Sequence, residues 1–135
     1  MATLAVVMRP AERVPDVVEG GLDGPEERIV RYFLSVWEAP PSREVMVAMV
    51  RSAATHEHAA ALLREFIGRE VLGRLAGVLG GDDAPLRASL VGSQLLGVAM
   101  LRHVVKLEPL ASAPPEVVAA AVAPTLRRYL TGDLG

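Results

Sequence analysis

Apolar residues in this sequence recur at intervals of three and four rather than two, and each long run between Gly and Pro punctuation keeps that helical spacing. No run alternates as a strand would. The pattern predicts an all-α, antiparallel bundle of about five main helices, with residues 25–135 as its body and residues 1–24 as a separate N-terminal stretch. The first helix is announced by Asp23-Gly24-Pro25-Glu26-Glu27, where a capping residue precedes Pro at an early helical position and acids stand where the helix dipole favours them. Over Pro25 to Glu38 the polar positions Arg28, Arg31, Ser35 and Glu38 share one face, leaving Ile29, Val30, Phe33, Leu34, Val36 and Trp37 to be covered.

Pro40-Pro41 reads as a stop, and Ser42 as the cap of a second helix bearing Val45, Met46, Met49 and Val50. The pattern resets at Ser52 to Thr55, and a long helix then runs from His56 to Leu79, with Gly80-Gly81 as its stop and Asp83-Ala84-Pro85 as the next start. The last helix follows Pro114-Pro115-Glu116 and ends near Gly132, with a stripe of Val118, Val122, Leu126, Tyr129 and Leu130. Pro124 is expected to kink or loosen its middle.

The helix between these, SLVGSQLLGVAMLRHVVKL from Ser89 to Leu107, is apolar on every side. Only fourteen residues separate Arg87 from Arg102, fewer than the roughly 20 that a membrane span wants, so no membrane association is expected. One face, with Leu86, Leu90, Leu96, Met100, Leu101 and Val104 beside Ser93 and Gly97, reads as core. The other mixes Val91, Leu95, Val98 and Val105 with Arg87, Gln94 and Arg102, the apolar centre and hydrogen-bonding surround of a subunit interface. Ala120 and Ala121 on the last helix permit close approach, so two helices per subunit are expected to pair in a homodimer.

Composition points the same way. At 51% apolar with a mean hydropathy of +0.33, the chain carries more apolar surface than a helical monomer of this size easily hides. A formal net charge of −2, with the basic residues scattered, argues against electrostatic nucleic-acid binding by these residues. There is no cysteine, hence no disulfide frame or thiolate chemistry. The start MATLAVVMRP lacks a secretory signature, and a cytoplasmic location is expected.

No catalytic constellation is present in the sequence, so no enzyme activity, cofactor or metal is expected. His56 and His58 stand two apart on a helix and diverge by about 200°, which prevents them from sharing an ion. Ser89 and Ser93 have no local base, and serines on helices commonly bond back to the preceding turn. Gly73-x-x-x-Gly77 permits tight helix packing and is no phosphate loop. His103 sits beside Leu96 and Met100 near the core edge, where a hydrogen-bonded, half-buried histidine and a ligand contact are both open. Tyr32, Phe33, Trp37, Met46, Met49, Phe66 and Met100 are the large or flexible side chains from which a cavity between helices could be built, although spacing alone favours an ordinary core.

The order of helices, together with ERIVRYFLSVWEAP, REFIGREVLGRLAGVLG, SQLLGVAMLRHVVKLEPLA and VAPTLRRYLTGDLG, resembles the C-terminal effector-binding and dimerisation domain of TetR-type transcriptional regulators over Val14 to Gly135. The resemblance implies dimerisation through the last two helices and a cavity between the central helices for an effector that alters DNA affinity. On that basis Tyr32, Phe33, Trp37, Met46, Met49, Phe66, Leu96, Met100 and His103 are the candidate pocket. Val91, Gln94, Leu95, Val98, Arg102, Val105, Ala120 and Ala121 are the candidate dimer interface. Ala5 to Glu19 looks like the end of the family's connecting helix, and the helix-turn-helix headpiece expected before it is absent, so these residues are not expected to bind an operator. The partners implied are a second copy of the chain and an unknown small-molecule effector, with DNA reached only through the missing headpiece. The alternative is a helical dimerisation or interaction module without a ligand.

Overall fold

The computed structural model describes residues 24–135, and among them every regular element is helical. The expectations for Asp23 and for the Ala5 to Glu19 stretch lie outside the described residues. The helices are α1 (Pro25–Glu38), α2 (Pro40–Thr55), α3 (Glu57–Phe66), α4 (Gly73–Leu79), α5 (Ala84–Ala99) and α6 (Pro115–Thr131). A π-helical segment, Ile67–Leu72, joins α3 to α4 without a break, and a second, Met100–Val104, extends α5. Counted as continuous rods these make the expected bundle of about five.

Proline sets the starts, because its missing N–H falls where a helix has no partner for one. Pro25, Pro40, Pro85 and Pro115 all stand in first turns. Pro40-Pro41 therefore opens α2 instead of separating it from α1, which leaves Ala39 as the single extended residue between them and puts Ser42 inside the helix. Asp83 precedes α5 but does not cap it with its side chain; its carboxylate accepts from Arg87 Nε at 2.8 Å. Gly80 and Gly81, at φ of 70° and 89°, make the left-handed turn between α4 and α5 that a Cβ would strain. The close helix approach comes at Gly92, where an added Cβ would lie 3.3 Å from Leu72 Cδ2, while Gly77 has open space around it.

The core gathers Val30, Leu34, Ala88, Val91, Leu126 and their neighbours from α1, α5 and α6. The stripes read on α1 and α6 are the buried ones: Ile29, Val30, Leu34 and Trp37, and Val118, Leu126 and Leu130. Pro124 stays within one continuous α6.

The two faces of α5 are the reverse of the expectation. Val91, Leu95, Val98 and Arg102, expected to face a partner, are each at most 7% exposed inside their own chain. Leu86 and Leu101, expected in the core, are 55% and 39% exposed. Both faces are apolar, so the wheel finds two stripes without telling which one the rest of the chain covers. Of Arg87, Gln94 and Arg102, the polar residues that suggest a hydrogen-bonding rim, Arg102 is buried and bonded internally. By length and composition the Ala84–Val104 rod could cross a membrane, but it is a central helix of the bundle, packed on α1, α4 and α6.

Candidate functional site

Between α1, α2, the α3–α4 rod and α5 lies a pocket of about 370 Å³. That volume is within the range of small-molecule sites. Both Phe residues, the single Trp and one of the two Tyr residues line it, as Phe33, Phe66, Trp37 and Tyr32. Met46 and Met49 enter from α2, Leu63 and Ile67 from the rod, and Ser89, Gly92, Ser93 and Leu96 from α5.

The local sequence accounts for this gathering. The α1 face that buries Ile29 and Trp37 on the core turns Tyr32, Phe33 and Val36 to its side, half-covered. Neither α2 nor α3 has a fully buried residue, so their apolar stripes close on the pocket and not on packed core. Ile67 and Leu72, the ends of the first π segment, both line the cavity; π turns widen the helix locally and often occur beside binding sites. Ser89 Oγ donates to Leu86 O at 2.8 Å and Ser93 Oγ to Leu90 O at 2.7 Å, which leaves these hydroxyls as acceptors only. No charged side chain among the described residues lines the pocket.

Of the candidate pocket residues, Tyr32, Phe33, Trp37, Met46, Met49, Phe66 and Leu96 line this one cavity, while Met100 and His103 are not among its lining residues. The pocket ends one turn of α5 before Met100, and His103 faces a separate, open groove with Arg43, Glu44, Arg51 and Ser52. Its imidazole stacks on the far side of the pocket wall, with ring centroids 5.8 Å from Trp37 and 16° between planes. Burial lowers the His103 pKa from its ordinary value, against the pull of Glu38 and with help from Arg102 and Arg43. Val36, Val50, Leu72 and Leu75 also line the pocket and were missed because aliphatic residues at helical spacing look alike in a core and in a cavity.

Arg102 fixes the end of α5. Its Nη1 donates to Leu110 O at 2.9 Å and Ala113 O at 2.6 Å, and its Nε and Nη2 both reach Glu38 Oε1 at 3.1 Å. At the other end Arg87 donates to Tyr129 O and Gly132 O, each at 2.8 Å, closing the C-terminus of α6. Outward from these clamps, Leu86 and Leu101 of the α5 rod, Val105 just after it, and Val117, Ala120 and Ala121 of α6 are exposed. Gln94 is half-buried.

The profile of the C-terminal domain of tetracyclin repressor-like proteins matches residues 23–130. A solved TetR-family regulator from Streptomyces coelicolor A3 is similar at 35% identity and a TM-score of 0.67, over 94% of this chain and 86% of that one. No curated protein matches the sequence at a significant level.

Proposed function

Because this chain belongs to the tetracyclin repressor-like regulators, through their C-terminal domain, we propose that it is the ligand-sensing and homodimerisation part of a cytoplasmic transcriptional repressor. A small apolar effector binds between α1, α2, the α3–α4 rod and α5. It favours one dimer geometry over another and so changes the DNA affinity of the full-length regulator by population shift. The observation that carries this reading is the aromatic- and methionine-lined pocket of about 370 Å³. Regulation, not turnover, is its role.

We assign the partner contact to the outer faces of the last two helices, where Leu86 and Leu101 of α5 and its extension, Val105 just after it, and Val117, Ala120 and Ala121 of α6 are exposed. Leu86, Leu90, Ser93, Gly97 and Leu101 recur at three- and four-residue steps, a stripe whose small central residues let a second helix approach closely. Of the interface residues expected from the sequence, Val105, Ala120 and Ala121 remain in the assignment.

Native mass spectrometry of the purified 14.3 kDa chain, followed by titration with the neutral fluorophore N-phenyl-1-naphthylamine, tests both halves. A dimer that binds the probe supports the proposal. A dimer that binds no apolar probe reduces the chain to a dimerisation module, and a monomer persisting at micromolar concentration overturns the interface assignment.

A further inference from the structure

The last turn of α1 meets the second π segment at two adjacent pairs, Trp37 with His103 and Glu38 with Arg102. Trp37 is 1% exposed and forms pocket wall on one side. His103 backs it on the other, with a side chain 9% exposed and an Nε2 that meets no protein hydrogen-bond partner. That nitrogen lies 3.9 Å from Glu38 Oε1, about 1 Å beyond a charge-assisted bond.

We infer that neutral His103 is the positioning residue for Trp37, and that a proton taken up by its imidazole draws the ring onto Glu38 and releases the pocket wall. The charged groups around His103 set which way this goes. Glu38 faces it from α1; Arg43, Glu44 and Arg51 line the same groove from α2; Arg102 precedes it on its own segment. Among the described residues, only Glu38 stands within ion-pairing reach. Its Oε1 accepts two bonds from Arg102 and is filled by them, while Oε2 accepts none among the described residues, so the carboxylate takes a third donor on that second oxygen without expelling the guanidinium. The proton comes from solvent through the open groove that His103 lines. Closing the 3.9 Å separation from this carboxylate to about 2.8 Å moves the imidazole by roughly 1 Å or more, enough to unpack a stacked indole in a close-packed interior.

Burial lowers the His103 pKa, so the ring is neutral and the wall held at neutral pH. A histidine with a depressed folded pKa contributes stability above its ordinary value, and that contribution is lost as pH falls through the folded one. The effect on effector affinity rests on the pocket proposed above; the coupling of His103 to Trp37 does not.

Trp37 is the only tryptophan, so the emission of the intact chain between pH 8 and pH 4 reports the surroundings of this one residue, and the His103→Gln variant isolates the share due to the contact. The expected result is a transition with its midpoint below the ordinary histidine value, absent in His103→Gln and displaced in Glu38→Gln. N-phenyl-1-naphthylamine is expected to bind about fivefold or more weakly below the transition, the low end of ordinary coupling between sites, and without pH dependence in His103→Gln. An emission transition that persists in folded His103→Gln overturns the inference, as does probe affinity indifferent to pH in the parent chain. Failure of the probe to bind at any pH strikes the pocket reading instead, because the emission transition still reports His103. Should His103→Gln not fold, the NMR titration of the His103 ring in the parent chain decides: a midpoint equal to that of Trp37 emission supports the coupling, and a different one refutes it.

Discussion

Arg127 of α6 donates Nε to Glu26 Oε1 at 2.5 Å, joining the first turn of α1 to a residue 101 positions later in the sequence. Glu26 is 6% exposed, so its charge depends on this contact. Burial alone would raise its pKa, but the hydrogen bond and charge of Arg127, together with Arg28, hold it below the usual carboxylate value. A carboxyl lowered in this way contributes stability above its unfolded pKa and loses it as pH falls through the folded value. Glu26→Gln is expected to destabilise the chain by about 1 to 2 kcal/mol at neutral pH in urea denaturation. The gap between variant and parent should close progressively as pH falls below 4.5, the ordinary carboxylate value; a gap that widens there would refute this assignment.

Arg102 holds two loop carbonyls and one carboxylate, and lysine cannot reproduce its planar fork. Arg102→Lys and Arg102→Ala should both destabilise the fold, the latter by about 3 kcal/mol, since a buried polar cluster loses its donor. Limited proteolysis should show earlier cleavage between Lys106 and Pro114 in both variants than in the parent chain.

A Cβ added at Gly92 would stand 3.3 Å from Leu72 Cδ2. Gly92→Val pushes that side chain toward the pocket both residues line, and is expected to weaken binding of the neutral probe by about tenfold while leaving the far-ultraviolet circular dichroism helical. Unchanged probe affinity would place the binding elsewhere.

The two faces of α5 should respond differently to charge. Leu101→Glu, on the exposed face, is expected to give a folded chain that sediments as a monomer. Val98→Glu, on the buried face, should cost more than about 4 kcal/mol and prevent folding, because an unpaired carboxylate enters the core. Two folded monomers, or two folded dimers, would contradict the assignment of faces.

Most helix limits were legible because proline and glycine act through local backbone sterics, which a sequence displays directly; Pro40-Pro41 was read as a stop although it opens α2. The stripe of α1 was legible because a polar face opposes it, and that of α6 because its large side chains stand opposite alanines and short or charged residues. On α5 that contrast fails, and the partners that decide the matter are remote: Glu38 is 64 positions from Arg102, and Arg87 reaches carbonyls 42 and 45 positions away. The pocket's aromatic and methionine residues were recognisable by type. His103 was misplaced because Met100–Val104 adopts π turns, which take up about one extra residue per turn and rotate everything after them relative to a wheel drawn at 100°. Neither π segment contains a residue that announces it.

The clamps of Arg87 and Arg102 have a mechanical consequence for the bundle. One fastens the start of α5 to the end of α6, and the other fastens the end of the α5 rod to the loop that leads into α6. Secured at both extremities, these helices behave as a stiff frame, able to transmit a tilt without bending. Compliance is left to α2 and α3, which bury no residue fully and are separated by the extended residue His56. Their amides should exchange with deuterium well before those of α5 and α6, and a guest in the pocket should slow that hairpin first: the soft half of the domain takes up the molecule, and the stiff half carries the displacement outward.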